Sequence, residues 1–267
     1  MEGQGQLVIS WWNGGGRLIP RIGVNPELKK YLATKPDVFV YGETLVYKHT
    51  KRVKITGYKV IVHTAKKNNQ RRGIAVFYKE KYSHVLTKDK ASKKFDILWI
   101  RMITKSANII MGFYYAPGMN HDEGTRESFY DELRRGIDTY REENRRIYLM
   151  GDSNARLGEF TQDKNIHGEI TINRNETLFL GFLRYTGMFC LNRILAKGQP
   201  TYEIIGKKRS IIDLGLTNNM GSIKSFRVMP HILGMNAQTC HKILQLTIYV
   251  NHKISLPTQR KVVKLRH

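Results

Sequence analysis

Residues 147–158 read IYLMGDSNARLG: an apolar run of strand length stops at Gly151, and Asp152, Ser153 and Asn154 follow. Alternation of side chains along a strand sends Asp152 and Asn154 to one side, at the open end of a sheet. An ionised Asp there is a hard oxygen ligand for Mg²⁺ or a base for water, and Asn can orient a phosphate without adding repulsion. Alone, the same letters are also an ordinary Asx-rich turn. Other strand-like runs end in a similar way. QLVISWW leads to Asn13 and three glycines, DVFVY leads to Gly42 and Glu43, and NIIMGFYY ends at Tyr115. SIIDLGL carries Asp213 inside an apolar run, where an isolated charge is costly and calls for a partner such as His. His241 stands just before the last apolar run, ILQLTIYV.

The elements that must position these residues are short strands mixed with a few helices. Strands are expected at Gln6–Trp12, Asp37–Tyr41, Tyr58–His63, Gly73–Tyr78, Phe95–Ile103, Asn108–Tyr115, Ile147–Met150, Met188–Asn192, Ser210–Leu216 and Ile243–Val250. Helices are expected at Pro26–Thr34, where Pro suits the first turn, and at Ser128–Asn144 and Asn175–Thr186, which carry apolar stripes at helical spacing. Several strands follow one another directly, which suits an α/β sandwich better than a doubly wound sheet. The chain shows no internal repeat and no low-complexity segment. A single domain over residues 1–250 with a basic tail at 251–267 is expected.

Composition narrows the partners. The 267 residues, 41% hydrophobic, suffice for a large core. No run approaches the ~20 apolar residues of a membrane span, and the first residues lack the basic and apolar regions of a signal peptide. Lys and Arg number 45 against 22 Asp and Glu, a net +23. That excess points to a polyanion, because phosphates neutralised by Lys or Arg release counterions. The clusters 48–54, 66–72 (with Arg71 and Arg72) and Lys207-Lys208-Arg209 read singly as solvated faces and together as a phosphate-tracking rim. Two cysteines, Cys190 and Cys240, make no disulfide framework and fit a reducing compartment.

The strand ending at Asn13, PDVFVYGET with Glu43, YYAP with Tyr115, GDSN, SIID and His241 before a final strand occur in the order found in the endonuclease/exonuclease/phosphatase family. The chain resembles that family from Leu7 to Val250. Its wording is most similar to the apurinic-type endonuclease domains of LINE-type (non-LTR) retrotransposons, in MGDSNARLG, FLRYTGM, PTY and SIIDLGLT. The resemblance implies a four-layer DNase I-like α/β sandwich, two mixed β-sheets face to face with helices outside. It implies Mg²⁺, with Mn²⁺ as a substitute, held by Glu43 with help from Asn13. It further implies that Asp152 deprotonates the attacking water, Asn154 orients the phosphate, and His241, held by Asp213, stabilises charge in the transition state. Tyr115 would contact the phosphate or the leaving oxygen, and Thr201 the DNA backbone.

On this reading the chain is a Mg²⁺-dependent endonuclease that nicks double-stranded DNA to leave a 3′-hydroxyl for target-primed reverse transcription. A reverse transcriptase domain would be its partner, and the nucleus its place in a eukaryote. One departure stands out. The family has Ser-Asp-His before the last strand, where this chain has Thr239-Cys240-His241. Loss of that carboxylate keeps two alternatives open: a nucleic-acid-binding module with a weakened site, and an abasic-site repair endonuclease.

Overall fold

The computed structural model describes residues 5–15, 26–34, 36–45, 54–64, 73–104, 108–230 and 240–250. Two six-stranded mixed sheets stack with helices outside, so the expected sandwich is the observed one. The first sheet contains β1 (Gly5–Asn13), β2 (Val38–Gly42), β3 (Tyr58–His63), β4 (Ile74–Lys79), β13 (Ile223–Val228) and β14 (Leu244–Val250). Its order is β13-β14-β1-β2-β4-β3, with β1 parallel to β2 and antiparallel to β14. The second contains β5 (Leu86–Ala91), β6 (Asp96–Ile103), β7 (Asn108–Tyr115), β8 (Arg146–Asp152), β9 (Phe189–Cys190) and β12 (Asp213–Thr217). Its order is β5-β6-β7-β8-β12-β9, with β7 parallel to β8.

Strands buried on both faces explain the near-continuous apolar runs of the sequence. Leu7, Ile9 and Trp11 of β1 point into the space between the sheets and meet Phe113 of β7 and Tyr148 and Met150 of β8 in one core. On the outer face of the first sheet, Trp12, Phe39 and Phe77 pack under Leu28 and Leu32 of α1 (Pro26–Thr34). On the outer face of the second, Trp99, Tyr114 and Leu149 pack under α2 (Glu123–Glu142) and α3 (Asn175–Thr186), through Phe129, Leu133 and Phe179. Among the described residues no helix is long and apolar enough to cross a membrane.

Three local expectations change. Helix α2 starts at Glu123, not Ser128, because Asp122 caps it by accepting from the Thr125 N–H at 2.7 Å. That first turn is polar and carries no apolar signal. The strand expected over Met188–Asn192 is only Phe189–Cys190, followed by the short helix α4 (Leu191–Leu195). The run Ser210–Leu216 is divided between β11 (Lys208–Ser210), which forms a hairpin with β10 (Tyr202–Ile204), and β12. Arg71, Arg72, Thr239 and the tail from 251 lie outside the described residues.

Candidate active site

Alternation along the strands brings the chemistry to one end of the sandwich. Asn13 ends β1 and Glu43 directly follows β2, with Asn13 paired to Gly42. Tyr115 ends β7 and Asp152 ends β8, side by side in parallel register, and Asp213 opens β12 opposite Asp152. His241 lies just before β14. Phe113, Met150 and Trp11 face the inter-sheet core, so Tyr115, Asp152 and Asn13, two residues further along, sit on the same inner side where that core opens.

Asp152 is buried, and each of its oxygens accepts one hydrogen bond. Its Oδ2 accepts from Asn13 Nδ2 at 2.9 Å, and its Oδ1 accepts from the Asn154 backbone N–H at 2.9 Å. Asn13 turns its own Oδ1 to the Gly15 N–H. Asp213, also buried, lies 2.7 Å from His241 Nδ1, and His241 Nε2 is 4.0 Å from Asp152 Oδ2. A carboxylate opposite Nδ1 fixes that nitrogen as the donor and leaves Nε2 for the open site. Trp12 Nε1 donates to the His241 carbonyl, and the Tyr202 ring stands edge-on to the imidazole with centroids 4.9 Å apart. Burial, and then the neighbouring Cys240, pushes the Tyr202 phenol above its ordinary value.

Burial, then the nearby Asp213 charge, pushes the Asp152 carboxyl up to about 7, against the opposing pull of His241 and the Asn154 N–H. For His241, burial disfavours the cation, but Asp213, Asp152 and Glu43 together outweigh it and push the imidazole up to about 9. The half-buried Glu43 thus acts electrostatically on both groups. In the metal-free protein the His241 imidazole proton signals are expected to titrate near pH 9, and Asp213→Asn is expected to lower that midpoint by about 1–3 pH units. A midpoint unmoved by the substitution would separate Asp213 from His241.

Asn154 sits in the left-handed region at φ 47°, which Asn tolerates. Its Nδ2 donates to the Ala116 carbonyl at 2.8 Å. Its own carbonyl accepts from Asn173 Nδ2 at 2.8 Å and Asn175 Nδ2 at 3.0 Å, and Asn175 in turn accepts from the buried Arg126. Asn192 clasps β12 by donating to the Asp213 carbonyl and accepting from the Gly215 N–H. Residues 126, 173 and 175 carried no signal as site residues in the sequence, since each works through contacts distant in the chain.

Thr201 does something other than its expected contact with DNA. It is completely buried, and its hydroxyl accepts from the Ile212 and Asp213 N–H groups at 3.0 Å each. Those two bonds interrupt the strand and set the backbone of Asp213. Lys207 and Lys208 are exposed on the hairpin, with Ile205 at its tip 81% exposed. Arg209 is held inward, donating to the Lys164 carbonyl while its own carbonyl accepts from Arg156.

A divalent cation suits this donor set. Asp152, Asp213 and His241 each bring a ligand atom within 4.8 Å of the others. Asp213 is committed to its hydrogen bonds and His241 favours its protonated form, which leaves oxygen donors for a hard ion. Burial is the main reason the Asp152 carboxyl is raised, and the Asp213 charge the second, which such an ion would offset.

No family model matches the sequence. No curated protein matches it. Solved structures do match in fold. The endonuclease domain of TRAS1, a telomere-specific non-LTR retrotransposon, is similar with a TM-score of 0.69 over 92% of this chain and 100% of that one, at 16% identity. The APE2 catalytic domain of Xenopus laevis is similar with a TM-score of 0.70 over 91% and 92%, at 14% identity. The 3′-5′ exonuclease NExo of Neisseria meningitidis is similar with a TM-score of 0.67 over 91% and 100%, at 15% identity. The architecture is therefore that of the DNase I-like α/β sandwich fold.

Proposed function

We propose that this chain, built on the DNase I-like fold, is a metal-dependent DNA endonuclease of retrotransposon type. The observation that carries the proposal is the gathering, from strand ends of both sheets, of two hydrogen-bonded pairs, Asn13–Asp152 and Asp213–His241, with His241 Nε2 4.0 Å from Asp152 Oδ2, in a protein of net charge +23. The similarity to the TRAS1 endonuclease domain supports the retrotransposon assignment. In that role the 3′-hydroxyl at the nick primes reverse transcription, with a reverse transcriptase domain as partner and the nucleus of a eukaryotic host as the site of action.

A phosphodiester repels nucleophiles, so hydrolysis needs a base, a positioned phosphate and a stabilised leaving group. Asp152 takes a proton from water as the water oxygen bonds to phosphorus and the P–O3′ bond breaks. The departing 3′-oxygen takes up a proton from solvent water. Asn154 presents its second amide N–H to the phosphate, and protonated His241 offers Nε2–H to an oxygen gaining charge. Tyr115 lines the same opening. Glu43 and Asn13 would hold Mg²⁺ or Mn²⁺ beside Asp152, and the ion would neutralise the phosphate. Lys207 and Lys208 would meet the DNA backbone next to the site.

Nicking of supercoiled plasmid by the purified chain tests this reading. Conversion to open circle with Mg²⁺ or Mn²⁺, abolished by EDTA, is expected. Salt-sensitive DNA binding without cutting in either metal would overturn it in favour of a binding module, the reading that Cys240 favours.

A further inference from the structure

Trp11 is completely buried on β1, in the sheet opposite the one that carries Asp213. Its indole Nε1 donates to Asp213 Oδ1 at 3.0 Å, across 202 residues of sequence, while Asp213 Oδ2 faces His241 Nδ1 at 2.7 Å. Space for the indole is made by Gly42: a Cβ there would stand 2.7 Å from Cη2 of Trp11. We infer that Trp11 is a positioning residue for the Asp213–His241 pair, a role that rests on the nuclease reading above.

The backbone of Asp213 is already fixed, by Thr201 on its N–H and Asn192 on its carbonyl. The freedom left to its side chain lies in two torsions, of which the last, turning the carboxylate, is the soft one. A donor to Oδ1 sets the plane of the carboxylate and therefore the direction in which Oδ2 meets the imidazole. The donor is neutral, so it adds no charge to a site that must hold an anion. Because it comes from the other sheet, the bond also fixes the two sheets against each other at the site. Hydrogen bonds to charged groups in dry surroundings are the strong ones.

Trp11→Phe keeps an aromatic ring in the core and removes only the indole ring's extra atoms and its N–H. We expect it to lower the kcat for nicking about tenfold to hundredfold with KM little changed. In an Asp213→Ala background, Trp11→Phe should lower kcat no further. Asn would not serve there, because it could still accept from the indole; Asp213→Ser replaces Ala if that variant does not fold. Independently of activity, the Trp11 indole N–H signal, one of three in the chain and identified by its loss in Trp11→Phe, should shift on Asp213→Ala. Equal losses in both backgrounds would show that Trp11 acts through general packing, and an unmoved indole signal would show that the bond is absent in solution. Either result overturns the inference while the nuclease reading stands. A wild-type chain that cuts in neither metal overturns both.

Discussion

Asp152→Asn lowers the rate of plasmid nicking by at least about 10³-fold while DNA binding persists. The reason lies in both faces of the carboxylate. As a base it must take a proton from water, which an amide cannot do. As an acceptor it joins Asn13 Nδ2 to the Asn154 N–H. An amide that keeps its oxygen toward Asn154 points its NH₂ at the NH₂ of Asn13. Asn13 cannot turn over without losing the Gly15 N–H that its own oxygen accepts. The variant therefore loses the proposed base and loosens Asn13, a proposed metal ligand, together.

Stability should move the other way. A carboxyl raised from its ordinary value to about 7 holds its proton more tightly folded than unfolded, so ionisation penalises the folded state. The penalty is absent below the ordinary carboxylate range, grows as pH rises toward 7, and is complete above it. Metal-free Asp152→Asn is thus expected to be at least as stable as the wild type at pH 8, with any advantage fading as pH falls. Thermal melts in EDTA beside nicking rates read both quantities. Retained nicking would remove Asp152 from the chemistry; a fully unfolded variant would make it a structural residue.

His241→Ala is the second large effect, again about 10³-fold or more on nicking. Here activity and stability should fall together. Asp213 is buried with His241 as its hydrogen-bonded cationic partner, and removing one member of a buried pair costs roughly 3–5 kcal/mol. The Trp11 N–H remains on the other oxygen and offsets part of that loss. Pairing His241→Ala with Asp213→Asn removes the orphaned charge, so the double variant should regain much of its melting temperature and none of its cutting. Recovery of cutting along with stability would mean that His241 supports the fold and takes no part in catalysis. Failure to regain stability would mean that Asp213 and His241 are not a coupled pair.

How much of this was legible beforehand follows from the range of the interactions. The strands of the site announced themselves because they are local apolar runs, several of them stopped by Gly, Asn or Asp, and helices Pro26–Thr34 and Asn175–Thr186 begin and end where their own stripes and breakers place them. The acids at the strand ends and the charge of +23 are likewise properties of composition and local order. Pairing and packing were not readable in this way. That Asp152 meets Asp213 across antiparallel strands is a matter of register, and that Trp11 reaches Asp213 is a matter of how two sheets stack. Asn192 looked like a strand residue until its buried amide was seen replacing a backbone ladder. Thr201 looked like a surface hydroxyl until the fold closed over it. A buried polar group must find a partner, and the sequence states the need. Only the tertiary structure names the partner, because the energy of that bond depends on atoms that the chain brings together from far apart.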